Sequence, residues 1–97
     1  MPKLYEYAGM RFSFFANDHK PIHLHVEDGD VKAKAIIERG LFGTRIEWKW
    51  LRGKLKHGQQ VKAEKLLRAK VRDIERMWDA FHDQGIAPNF ERINRLK

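Results

Sequence analysis

The sequence predicts an α+β fold: an antiparallel sheet of four to five strands with one long amphipathic helix packed on its apolar face. Two patterns carry this reading. In the first half, apolar and polar residues alternate, as they do along a strand whose successive side chains point to opposite faces. From about Gln59 to His82 the period changes, and Leu67, Val71, Ile74, Trp78 and Phe81 recur at steps of four, three, four and three, one stripe of a helix. A sheet with one apolar face needs a cover, and that stripe supplies it.

Taken in order, residues 3–7 form a short strand and Ala8-Gly9 a turn. In 11–16, Phe12 and Phe14 oppose Arg11 and Ser13. In 22–27, Ile22, Leu24 and Val26 share one face while His23, His25 and Glu27 share the other. Asp28-Gly29 is a strong short hairpin signal. Val31, Ala33, Ala35 and Ile37 then alternate with Lys32 and Lys34, and Ile46, Trp48 and Trp50 alternate with Arg45, Glu47 and Lys49. The expected core is Phe12, Phe14, Leu24, Val26, Val31, Ala33, Ala35, Ile46, Trp48, Leu67, Val71, Ile74, Trp78 and Phe81. The helix should stop near Gly85, a plausible left-handed cap. Residues 1–83 thus read as a single α+β domain. Residues 84–97 read as a C-terminal extension, where Ile86, Phe90, Ile93 and Leu96 recur at short-helix spacing after Pro88.

Composition narrows the function. The chain has 97 residues, enough for one core but not two. It has no Cys, which excludes disulfides, Cys-ligated zinc and Cys nucleophiles. No apolar run approaches the ~18 residues of a membrane span, and the opening Met-Pro-Lys-Leu-Tyr-Glu lacks the apolar core of a signal peptide. The expectation is a soluble cytoplasmic protein without a membrane partner. The net charge of +7 sits almost wholly in residues 49–72, where nine basic side chains face only Glu64. Within the helix the basic residues come first and the acidic ones last, the reverse of what the macrodipole favours. The basic end therefore has a use other than helix stability.

The sharpest local motif is Asn17-Asp18-His19-Lys20-Pro21-Ile22-His23-Leu24-His25-Val26. On a strand, His23 and His25 leave the same face. Three readings stay open. His19, His23 and His25 are candidate ligands for a divalent metal, an H-x-H pair plus one more group being enough for a site with an open position. Alternatively, His23 and His25 serve as general acid and base with Arg11, Lys34 or Lys32 as charge stabilisers, which suits metal-independent ribonuclease chemistry and needs no cofactor. Or they are half-polar strand residues on a solvated face.

The same motif carries a resemblance. Met-Pro-Lys-Leu-Tyr-Glu-Tyr-Ala-Gly-Met-Arg-Phe-Ser-Phe-Phe, followed by the His-Pro-His-His segment, Val31-Lys32-Ala33-Lys34-Ala35 and the late Trp78 and Phe81, resembles a small bacterial family classed as a domain of unknown function. Its signature is (Asn/Asp/Glu)-His-x-Pro-x-His-x-His-Val, and the likeness covers roughly residues 1–83. Many members are similar to toxin components of toxin–antitoxin pairs. The resemblance implies a small toxin neutralised by a cognate antitoxin-like protein and acting on RNA or the translation machinery. The basic N-terminal half of the helix and the segment from Pro88 onward depart from that pattern.

A second constellation is the basic block: Lys49, Arg52, Lys54, Lys56, Lys62, Lys65 and Arg68, preceded by Trp48 and Trp50. Lys and Arg neutralise phosphates and exposed Trp stacks on bases, although Trp48 and Trp50 run in phase with Ile46 and read as core. RNA is preferred over duplex DNA, since no helix-turn-helix or finger motif is present. The alternative to the toxin reading is a non-enzymatic module that docks nucleic acid or an acidic protein through this block, with a structural or metal-binding His cluster.

Overall fold

A computed structural model describes residues 2–15 and 19–96. Its strands are β1 (Lys3–Tyr7), β2 (Met10–Ser13), β3 (His23–Asp28), β4 (Val31–Gly40), β5 (Gly43–Arg52) and β6 (Glu91–Ile93), and its helices α1 (His57–Ala69) and α2 (Val71–Gln84). The strands form one sheet in the order β5-β4-β3-β2-β1-β6. Neighbours are antiparallel except for β1 and β6, which run parallel.

The alternating segments are strands, and their turns follow local chemistry. Ala8 and Gly9 take φ of 53° and 83°, the mirror-image turn that matches strand twist. The next turn lies one residue beyond the expected dipeptide: Asp28 pairs with Val31, leaving Gly29-Asp30 as the connection. Gln59 ties these two turns together, donating from Nε2 to Ala8 O at 2.8 Å and to Asp28 Oδ2 at 3.0 Å.

Two elements correct the expected architecture of one long helix on four or five strands. First, the helix is broken. Lys70, at φ −108° and ψ 10°, ends α1 and starts α2. The apolar stripe hides this, because Leu67, Val71, Ile74 and Trp78 stay on the sheet through the bend. A six-stranded sheet is roughly 24 Å wide at about 4.8 Å per strand, and one straight helix about 10 Å across covers it poorly. The bend lets α1 lie by β5, where Trp48 Nε1 donates to Glu64 Oε2 at 2.8 Å, while Trp78 of α2 packs on Phe14. Second, the tail contains a strand instead of a short helix. β6 adds to the free edge of β1, burying Ile93, with ion pairs Arg92–Glu6 at 3.3 Å and Lys70–Glu91 at 3.7 Å. Gly85 does cap α2: at φ 69° it lets its own N–H reach Phe81 O and that of Ile86 reach Ala80 O.

The core lies between the two helices and one sheet face. Phe12, Phe14, Leu24, Val26, Ala33, Ala35, Leu67, Val71, Ile74 and Trp78 are buried as expected, whereas Val31, Ile46, Trp48 and Phe81 are only partly covered. Leu4, Tyr5, Met10, Ile37, Leu55, Ala63, Leu66 and Ile93 complete the core. Tyr5 titrates well above its ordinary range, chiefly through burial and further through Asp73 and Glu91. No helix is long and apolar enough to cross a membrane among the described residues.

Candidate functional site

Both helices occupy one side of the sheet, so strand residues out of phase with the core form the other side. Antiparallel register arranges them in rows, since directly opposed residues share a face. One row crosses all six strands: Arg92, Glu6, Arg11, Glu27, Lys32, Arg52. At one end its charges alternate and pair, Arg92 with Glu6 and Arg11 with Glu27 at 3.4 Å. At the other end Lys32 and Arg52 lie side by side. The neighbouring row is Ser13, His25, Lys34, Lys49. Lys32, Lys34, Lys49 and Arg52 make no ion pair among the described residues. At the Lys32–Lys34 end of β4 and the facing Lys49–Arg52 end of β5 the helix-free face is thus a cationic patch, bounded along the strands by Glu47 and Glu38.

The candidate acid–base set is only partly assembled. His25 is opposite Lys34, but it is 7% exposed because the Phe15 ring stacks on it at 3.5 Å between centroids. It is therefore not the residue on a solvated face that the third of the three readings describes. Arg11 is engaged by Glu27, two residue pairs further along the strands. His23 sits at the sheet's end, its ring 5.7 Å from His25 and 5.6 Å from Trp78 of α2. Its Nδ1 lies 2.9 Å from Pro21 O, which fixes the tautomer with the proton on Nδ1. The sequence reading missed His82. Its ring lies 4.0 Å from Trp78 and its Nδ1 is 3.0 Å from the Trp78 carbonyl. The signal was present: His82 is one helical turn after Trp78. His19 is exposed, while Asn17 and Asp18 of the motif lie outside the described residues. Among the described residues, no three His, Cys, Asp or Glu side chains converge on a metal position.

The basic block divides. Lys49 and Arg52 belong to the helix-free face. Lys62 and Lys65 project from the outer side of α1, across the thickness of the domain. Arg68 is held by Glu64 at 3.2 Å and by the Thr44 carbonyl at 3.4 Å. Lys56 is the residue that precedes α1, with no capping bond from its side chain, and Lys54 Nζ stands 5.8 Å over the Trp50 ring. Trp48 and Trp50 stack in parallel at 5.2 Å on the helix side, away from Lys49. Glu64 anchors this seam. Burial pushes its carboxyl up, but hydrogen bonds from Trp48, Gln60 and Arg68 and the Arg68 charge outweigh that and hold it below the usual range.

Neither the curated proteins nor the solved structures give a match to this chain. A family model does match, over residues 9–79, which takes in β2 to β5, α1 and most of α2. The match covers Lys32, Lys34, Lys49 and Arg52, both strand histidines and Trp78, and by it the chain belongs to the family described as domain of unknown function DUF4160.

Proposed function

We propose that the protein binds single-stranded RNA on the helix-free face of its sheet. The observation that carries this reading is the register-enforced cluster of Lys32, Lys34, Lys49 and Arg52 over β4 and β5. Lys34 and Lys49 are directly opposed, an arrangement that costs stability in a sheet unless an anion lies over it. A flat, strand-built cationic surface suits a flexible phosphate chain better than the grooves of a duplex. The resemblance to toxin components adds that expression arrests growth by sequestering RNA or blocking the translation machinery, and that a cognate acidic protein relieves it by covering the same face.

Binding is favoured over cleavage. A general acid or base must reach the proton that it moves. His25 lies beneath Phe15, and Arg11 is occupied by Glu27. A ribonuclease centred on His23 and His25 is therefore the second reading, and fragment analysis in the same assay tests it.

The experiment is a gel shift with labelled single-stranded RNA across a salt series. Four cations predict a slope of about −3 in log K against log salt, and Lys34→Glu with Lys49→Glu should reduce it to about −1.4. Lys62→Glu with Lys65→Glu should leave it unchanged. If the second pair abolishes binding while the first does not, α1 is the contact surface. If neither protein nor variant retards RNA at low salt, the reading is wrong.

A further inference from the structure

β5 is an edge strand of ten residues, and among the described residues nothing pairs with its outer side. A long uncovered edge presents alternate N–H and C=O groups to solvent and is a template for another strand. Of the six exposed large apolar residues among those described, four lie along β5 or beside it, and the other two, Ile86 and Phe90, are in the C-terminal tail. Leu41 (97% exposed) and Phe42 (102%) form the two-residue turn that enters β5. Leu51 is near the strand's end, and Val61 lies on the adjoining face of α1. Such turns prefer Asn and Gly, so Leu-Phe at the tip contradicts local folding preference and points to a contact.

We infer that the occupant of this edge is a second copy of the chain, paired antiparallel through β5. Strand geometry and charge fix the register. Opposed residues must share a face, so Arg45, Glu47 and Lys49 meet one another, and Thr44, Ile46, Trp48 and Trp50 do likewise. The ladder to β4 slips between Trp50 and Arg52, so the regular part of β5 is Gly43–Trp50. Two symmetric registers centre on it. One sets Glu47 on Glu47 and Arg45 on Lys49, like charge on like. The other sets Ile46 on Ile46 and Arg45 on Glu47 of the second copy, twice by symmetry, and brings Phe42 opposite Trp50. The second register is the one without repulsion. It also covers Ile46, Trp48 and Trp50, which the monomer leaves half-buried. Arg68 already donates to one edge carbonyl, that of Thr44, and this long contact yields to the incoming strand. The product is a continuous sheet of two copies, with both cationic patches on the same face. The inference stands whether or not that face binds RNA.

The test is sedimentation velocity on the purified chain over a concentration series at low and moderate salt. The native chain should show concentration-dependent mass approaching twice its 11.5 kDa. Glu47→Lys should raise the dissociation constant roughly tenfold or more, since two attractive pairs become repulsive. Arg45→Glu added to Glu47→Lys should restore it to within about threefold, each attractive pair being re-formed with its charges exchanged. All three positions are exposed or at the rim of the sheet, and circular dichroism confirms that the variants keep their fold. A native chain that stays monomeric up to its solubility limit overturns the inference and leaves the edge to a different protein. A dimer indifferent to Glu47→Lys overturns it as well. Rescue by Lys49→Glu in place of Arg45→Glu rejects this register.

Discussion

Replacing Trp78 by Ala tests the helix-on-sheet arrangement most directly. Trp78 is 2% exposed at the point where α2 meets β2. Its ring stands edge-on to Phe14 at 5.3 Å, lies against His82 at 4.0 Å and reaches His23 at 5.6 Å. Truncating a buried Trp costs about 3–5 kcal/mol in lost transfer energy and residual cavity. Lost aromatic contact adds about 0.5–1.5 kcal/mol, and the better helix propensity of Ala returns a few tenths, roughly cancelling the low end of that. The His82 hydrogen bond goes to the Trp78 backbone carbonyl, so it survives the substitution. A net loss of about 4 kcal/mol with a urea slope of about 2 kcal/mol per molar lowers the midpoint by about 2 M. Against a stability of about 5–15 kcal/mol, that is a large part of the whole. Equilibrium urea unfolding followed by circular dichroism measures it. A midpoint shift below about 0.5 M with an unchanged slope would refute the packing of Trp78 between helix and sheet.

Two further outcomes concern single groups. Glu64 has a depressed folded pKa relative to its ordinary 4.5, so the unfolded chain takes up its proton first. Its contribution is present above the unfolded value and lost as pH falls through the folded one. Glu64→Gln should therefore flatten the acid limb of the stability–pH curve and cost about 1 kcal/mol at neutral pH; an unchanged acid limb would show that another carboxylate governs it. At Gly85, with φ +69°, a Cβ meets no atom within 4 Å, so Gly85→Ala isolates backbone strain and should cost about 1–2 kcal/mol. Gly58, helical and equally unobstructed, should gain about 0.4–1 kcal/mol as Ala, and thermal melts of the pair read both signs.

The strands were legible because each needs only a local period and a turn. Phe12, Leu24, Val26, Ala33 and Ala35 fall on the core face, as their alternation requires. The helix break was not legible. Periodicity records which side faces the sheet, and the bend at Lys70 preserves that side. The tail misled for a related reason: Ile86, Phe90 and Ile93 have helical spacing, but the free edge of β1 offers backbone pairing that a two-turn helix after Pro88 lacks. Leu41-Phe42 escaped because a turn is read from Gly and Asn. Here the glycines, Gly40 and Gly43, flank the turn instead of forming it.

The site was legible as residue types and illegible as surfaces. Nine basic residues within 24 positions read as one block, yet a strand sends Lys49 to one side of the sheet and its Trp neighbours to the other, while Lys62 and Lys65 leave from a helix on the Trp side. Only pairing register brings Lys34, from a part of the chain with no net charge, into line with Lys49. Charge density along the sequence therefore does not separate the α1 lysines from those of the sheet, and it leaves Lys32 outside the basic block. The same holds for His25: its face follows from alternation, but its burial depends on Phe15 folding over it, a contact between residues ten apart that no period contains. Where a functional surface is built from rows across strands, the informative unit is the cross-strand pair, and the salt-slope comparison of the Lys34/Lys49 and Lys62/Lys65 variants measures which unit the protein uses.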